Sequence, residues 1–425
     1  MYRMKMGMWL WSQVSQSSQP TALLKLIRIP WNIFCRAVLN SGCLLYRDHL
    51  FLPTPAFFSY RSQAELNRMG TNSLTPVLIL DGGLGTSLED KYGVKFDETT
   101  PLWSSHLLVD NSETLRACQR DFGNVPVDIL LTATYQVSVE AFARTKTPDH
   151  PQGFNRYEIL PFLDLAVSIA EEVKAPKARV ALSLGPYGAC MVPSQEYSGK
   201  YDAEHSSMDQ LLAWHYDRLQ LFDQIDHLGS RISYIAFETV PRLDEIKATR
   251  KLFARAPSDV SSILNGDIAF WISCVFPGES YTLPDGSVVD QVVDALLNKD
   301  YSDIIPWGIG INCTKVTKLP GLVEAFGAAV SKMASAGRLE TRPSLVLYPD
   351  GTNGEVYDTT TKTWHAPANL QTPTSPWERQ LADVVALARN QHCWRSVVVG
   401  GCCKATHDDI SKLRATIHDD DDAHN

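Results

Sequence analysis

Three cysteines set the chemistry open to this 425-residue chain. Cys402 and Cys403 close the run Ser396-Val-Val-Val-Gly-Gly-Cys-Cys403, a β-branched stretch that ends on two glycines. Cys313 closes Trp307-Gly-Ile-Gly-Ile-Asn-Cys313 in the same way. Strands that stop on thiols deliver soft ligands to the rim of a fold. Cys313 lies too far upstream for a finger-like C-x-x-C framework, and structural zinc normally takes four protein ligands. Three thiols therefore suggest a zinc site with one position left for a substrate. A free alkyl thiol with a pKa of about 8.5 is only a few per cent ionised at pH 7, whereas a thiol held on Zn²⁺ is deprotonated and still nucleophilic. The alternative is that the three are small core residues, as Cys118, Cys190, Cys274 and Cys393 read.

Two carboxylates stand in comparable places. Asp81 follows the apolar run 77–80 in Leu80-Asp-Gly-Gly-Leu-Gly-Thr-Ser-Leu88, and Glu238 follows Ile-Ala-Phe in Ala236-Phe-Glu-Thr-Val-Pro241. A carboxylate at the end of a buried strand needs a partner. Either could hold a substrate ammonium. The competing readings are turn amides for Asp81 and a structural Arg or Lys for Glu238. The spacing Asp81-x-Gly83-x-Gly85 superficially matches a dinucleotide loop. Ser87 and Leu88 stand where the third glycine belongs, however, and the next strand starts far downstream, so that reading fails.

The elements that must carry these groups repeat one theme between about residues 75 and 415. Apolar runs at 77–80, 129–133, 180–184, 232–237, 269–274, 308–311, 344–348 and 396–399 lack the alternation of a half-exposed strand. They fit parallel strands covered on both faces. Helix-spaced apolar residues fill 157–174 and 208–225, while Pro241 with Asp244-Glu245, and Pro320, mark two further helix starts. Strands alternating with helices fit a (β/α)8 barrel or an open doubly wound sheet. Every strand hands over to a polar or glycine-rich turn, such as Thr132-Ala-Thr-Tyr-Gln136, Gly185-Pro-Tyr-Gly188 and Tyr348-Pro-Asp-Gly351. Eight informative turns favour the barrel, where all of them meet at one mouth. Segments 188–207 and 350–375 are expected as loops around that mouth.

Composition narrows the function class. A net charge of −9 argues against nucleic-acid binding, and no apolar run reaches the roughly 18–20 residues that span a bilayer. Nine cysteines are too sparse and odd in number for a disulfide scaffold. They are expected as reduced thiols in a reducing compartment, the cytoplasm. Residues 1–72 are rich in bases with no acid before Asp48, which fits a poorly ordered extension or a mitochondrial transit peptide. The barrel is expected over 73–416. Residues 417–425 are expected as a solvated acidic tail.

Together, Asp81-Gly82-Gly83, Glu238-Thr239, Asn312-Cys313 and Gly400-Gly401-Cys402-Cys403 resemble the homocysteine S-methyltransferase family. Ser183-Leu-Gly-Pro-Tyr-Gly188, Glu196-Tyr-Ser-Gly199 and Gly354-Glu-Val-Tyr-Asp358 look familial as well, and the likeness covers about 75–415. The turn Tyr348-Pro-Asp-Gly-Thr-Asn-Gly354 is longer than the family's compact version. The resemblance implies a (β/α)8 barrel with zinc on Cys313, Cys402 and Cys403. It also implies homocysteine sulfur in the fourth place, with the homocysteine amino group on Asp81 and Glu238. The methyl group would come from a sulfonium, S-methylmethionine or S-adenosylmethionine. Betaine as donor and a non-catalytic zinc-binding barrel are the alternatives.

Overall fold

The apolar runs form eight parallel strands: β1 (Val77–Ile79), β2 (Ile129–Leu131), β3 (Arg179–Leu184), β4 (Tyr234–Val240), β5 (Ala269–Cys274), β6 (Gly308–Lys315), β7 (Ser344–Asp350) and β8 (Val397–Val399). In this computed structural model the described residues are 74–424, apart from residue 98 and residues 255–262, 264–267, 353, 359–362 and 366–374. The expectations for residues 1–72 lie outside them. The strands run β1-β8-β7-β6-β5-β4-β3-β2 around one sheet, and a parallel bridge between Leu80 and Ile129 joins its two ends. The result is the expected α/β barrel.

Burial on both faces explains the unbroken apolar runs. Val397 and Val399 face the layer of helices while Val398 faces the barrel axis. Leu345 and Leu347 alternate in the same way with Val346 and Tyr348. The axis is filled by Trp271 and Tyr234 beside the smaller Ala181 and Ala236, large against small, as interdigitated barrel layers require. Trp271 Nε1–H donates to the Tyr348 hydroxyl at 3.3 Å, which satisfies the indole inside that layer.

The principal helices are α1 (Leu84–Tyr92), α2 (Ser112–Gly123), α3 (Leu160–Val173), α4 (Met208–Phe222), α5 (Leu243–Leu252), α6 (Val289–Leu297), α7 (Leu319–Ser335), α8 (Trp377–Asn390) and α9 (His407–His424). Local signals start them. Ser207 and Gln210 form a capping box at α4, and prolines open α3 and α7. Among the described residues no helix is long and apolar enough to cross a membrane.

Two sequence expectations change. Within 350–375, expected as loop, Val356–Asp358 pairs antiparallel with Thr363–His365. The acidic run from Ile417 is not a separate tail: it forms the last turns of α9. Arg379 of α8 holds Asp420 through two hydrogen bonds of 3.0 and 2.6 Å, and Arg389 pairs with Asp421. Complementary charge from a neighbouring helix orders what its own composition marks as solvated.

Candidate active site

The thiols reach the mouth by two different local devices. On β6, the register against β7 shifts between Asn312 and Lys315, and Cys313 takes φ 45°. On β4, the register against β5 shifts between Phe237 and Val240, and Thr239 takes φ 59°. Left-handed backbone is rare for such residues and costs about 1–3 kcal/mol each, so something must hold it. Asn312 does so. Its Oδ1 accepts the Thr239 N–H at 2.7 Å, and its Nδ2 donates to Thr239 Oγ1 at 2.7 Å and to Cys313 Sγ at 3.3 Å. One buried amide thus ties the two irregular strand ends together and aims a donor at the sulfur.

At β8 the device is close backbone approach. A Cβ on Gly83 would sit 2.3 Å from the Cys402 carbonyl oxygen, and one on Gly400 would sit 2.6 Å from that of Asp81. The glycines after β1 and β8 therefore let two loops pack backbone to backbone. Gly401 N–H donates to the Asp81 carbonyl at 2.9 Å, and Cys402 N–H donates to the Pro349 carbonyl at 2.7 Å. This is the structural use of the motif that superficially matches a dinucleotide loop.

The sulfurs of Cys313, Cys402 and Cys403 lie within 4.8 Å of one another. Cys313 and Cys402 bring their sulfurs into contact, with Cα atoms 5.5 Å apart. The convergence that makes a ligand set also brings two of its sulfurs within bonding reach. Cys118, Cys190, Cys274 and Cys393 are buried free thiols, as expected of core residues. Burial, with Asp350 adding, pushes the Cys403 thiol up to about 12. Three sulfurs clustered at one strand rim, with the Asn312 amide donating to one of them, form a donor set that fits a thiophilic divalent cation such as zinc.

Asp81 and Glu238 both line the same cavity and are 4% and 5% exposed. Asp81 Oδ2 accepts the Leu131 N–H at 2.9 Å, while its Oδ1 is buried with no hydrogen-bond partner. Burial raises its carboxyl to about 8, and Glu238 adds to the rise. Burial likewise raises Glu238 to about 7, against hydrogen bonds from Ser183 and Tyr348. Among the described residues no Lys or Arg makes an ion pair with Glu238, and Arg218 only partly offsets the rise of its carboxyl. The nearby Arg218 instead gives its guanidinium to the carbonyls of Gly185 at 2.6 Å and Tyr135 at 2.7 Å. Two buried carboxyls with little to neutralise them are suited to a cation that arrives with a ligand.

The cavity, about 150 Å³, is far larger than a water site. Its wall includes Trp103, Met191, Val192 and Trp364, and among the described residues it contains no Lys, Arg or His. Glu196 also lines it, 6% exposed. Sequence reasoning did not assign Trp103, Trp364 or Glu196 a role in the site. Trp103 opens a short 3-10 helix and Trp364 lies in a two-stranded insert, elements too short for periodicity to reveal, while Glu196 sits in a familial segment with no chemical pattern of its own.

Residues 78–417 match the homocysteine S-methyltransferase family. The chain is 30% identical over 347 residues to homocysteine S-methyltransferase of Escherichia coli, covering 80% of this chain and 94% of that protein. It is 26% identical over 366 residues to betaine-homocysteine S-methyltransferase of Drosophila melanogaster, covering 82% and 97%. The crystal structure of the homocysteine methyltransferase MmuM from Escherichia coli in its metallated form superposes with a TM-score of 0.55 at 24% identity, covering 83% of this chain and 99% of that one. A barrel whose glycines, thiols and carboxylates converge on one cavity, and which matches the family along the whole of that barrel, belongs to the homocysteine S-methyltransferase family.

Proposed function

We propose that this enzyme transfers a methyl group from a sulfonium donor, S-methylmethionine or S-adenosylmethionine, to the thiol of homocysteine, giving methionine. The observation that carries the reading is the meeting, in one cavity, of three sulfurs within 4.8 Å of one another and two buried carboxyls, raised chiefly by burial and offset by no ion pair among the described residues. Cys313, Cys402 and Cys403 would hold zinc, which supplies the Lewis acidity that ionises a thiol at neutral pH. Serving as ligands requires all three cysteines as reduced thiolates.

The chain's own groups then do three things. Asp81 and Glu238, once ionised, bind the homocysteine ammonium and so fix where its sulfur falls. Asn312 and Thr239 hold Cys313 in its left-handed conformation and donate toward its sulfur. The apolar wall excludes water from a reaction in which an anion and a cation both lose their charge, which a dry site favours. In the transfer the homocysteine sulfur lone pair forms the new S–CH₃ bond. The old bond breaks with its electron pair going to the donor sulfur, which leaves as a neutral thioether. The thiol proton departs before attack. A reducing compartment suits the thiols: the cytoplasm, or mitochondria if residues 1–70 act as a transit peptide. Residues 1–72 stand outside the catalytic unit in this reading.

The test measures methionine formation from homocysteine with S-methylmethionine, S-adenosylmethionine and betaine, before and after chelation. Activity with a sulfonium that disappears on metal removal and in Cys402→Ala supports the reading. Full activity in metal-free protein overturns the zinc role, and activity with betaine alone reassigns the donor. Bound zinc without methionine from any donor favours a non-catalytic barrel.

A further inference from the structure

Methyl transfer uses Asp81 and Glu238 of the four carboxylates on the cavity's described wall and leaves Glu89 and the buried Glu196 without a task. Glu196 is carried by the loop after β3, away from the strand ends of Asp81 and Glu238. It is buried, Ser194 supports it by a hydrogen bond, and its Oε2 has no hydrogen-bond partner. The loop holds it firmly. Gln195 N–H donates to the Gly188 carbonyl at 2.8 Å, and the buried Glu245 accepts the Tyr187 N–H at 2.7 Å and the Tyr201 hydroxyl at 2.6 Å. A fixed carboxylate with an open oxygen, in a cavity whose described wall carries no Lys, Arg or His, calls for a cation from the ligand.

Two cationic groups are then available on an amino-acid sulfonium, and the reaction distinguishes them. The sulfonium loses its charge in the transition state, so a carboxylate beside it would stabilise the starting state and slow transfer. The α-ammonium keeps its charge throughout. A carboxylate on the ammonium improves binding without raising the barrier.

Resting on the methyl-transfer reading, we propose that Glu196 binds the α-ammonium of an amino-acid sulfonium donor and selects for donors that carry one. Asp81 and Glu238 serve the acceptor's ammonium and Glu196 the donor's. The site thus sorts two amino acids of similar shape by giving each its own carboxylate.

The test uses the full-length zinc-loaded protein and Glu196→Gln, which keeps the size and the polar contact to Ser194 but removes the charge. S-methyl-L-methionine is compared with its deaminated counterpart, 4-(dimethylsulfonio)butanoate. The expected result is a rise of about tenfold or more in KM for S-methylmethionine, with kcat near wild type. KM for homocysteine and for the deaminated donor should stay unchanged. A rise of equal size for both donors, a rise in homocysteine KM instead, or no change overturns the inference. Calorimetric binding of S-methylmethionine without homocysteine separates this from the underlying reading. Should the wild type bind but not react, the methyl-transfer reading fails, and loss of binding in Glu196→Gln still supports the ammonium site while equal binding overturns it. A wild type that neither binds nor reacts overturns both.

Discussion

Replacing Asp81 by asparagine should make the protein more stable and less able to bind homocysteine. The carboxyl has a model-compound pKa of 3.8 and is raised to about 8 in the folded chain, chiefly by burial. The sign follows from proton linkage. Below about pH 4 both folded and unfolded chains keep the proton, and the raised pKa favours the fold in full. As pH rises toward 8 the unfolded chain gives up its proton while the folded chain retains it, so stability falls by about 1.4 kcal/mol per pH unit. At pH 7 the accumulated loss is roughly 4 kcal/mol. Asparagine has no proton to lose and can still accept from the Leu131 N–H. Its amide donors face a position that offers no acceptor in the described structure, at a cost of about 1–3 kcal/mol. The net expectation is a gain of about 1–3 kcal/mol at pH 7 that shrinks toward pH 5. Urea denaturation of metal-free wild type and Asp81→Asn at pH 5, 6, 7 and 8 measures it, with calorimetry reporting homocysteine binding. Equal stability at pH 7, or parallel pH profiles for the two proteins, would refute the claim that this carboxyl is held uncompensated.

The remaining predictions concern the groups around it. Homocysteine affinity should rise between pH 6 and 8, because Asp81, at about 8, and Glu238, at about 7, must ionise to hold an ammonium; calorimetry in buffers of matched ionisation heat checks it, and a flat profile contradicts it. Asn312→Ala should cost about 2–3 kcal/mol by stranding the buried Thr239 N–H, and should also speed zinc loss to a chelator. Unchanged zinc retention would mean that Asn312 supports the fold but not the ligand. Glu245→Ala removes the acceptor shared by His215, Tyr187 and Tyr201, and should loosen the loop after β3. Faster tryptic cleavage at Lys200 is the readout, and wild-type cleavage rates would show that the loop is held elsewhere.

The barrel was legible because parallel strands buried on both faces leave unbroken apolar runs, and the eight runs recur at the strands observed. The thiol set was legible because the cysteines stand at or just beyond the ends of apolar runs, Cys313 after Asn312 and the Cys402–Cys403 pair after two glycines. What stayed hidden has physical reasons. Residue type does not encode the left-handed conformations of Thr239 and Cys313; that of Thr239 is held by Asn312, which reaches it from β6. The contact between the Cys313 and Cys402 sulfurs depends on a distance between two strand ends that spacing cannot give. The order of the final acidic turns comes from arginines on α8, and composition alone reads those turns as solvated. Glu196 opens a familial segment, but only its placement in the cavity distinguishes its carboxylate from a surface acid.

The seam between the first and last strands has a consequence for biogenesis. Asp81 lies near the start of the barrel and Cys402 and Cys403 near its end, and their loops interlock through Gly83 and Gly400. Two of the three sulfurs therefore leave the ribosome only after nearly the whole ring has been made. Until β8 has joined the sheet, Cys313 has neither of its partners. If these sulfurs hold zinc as proposed, the full ligand set exists only once the last strand has joined the ring, so metal affinity would report barrel closure.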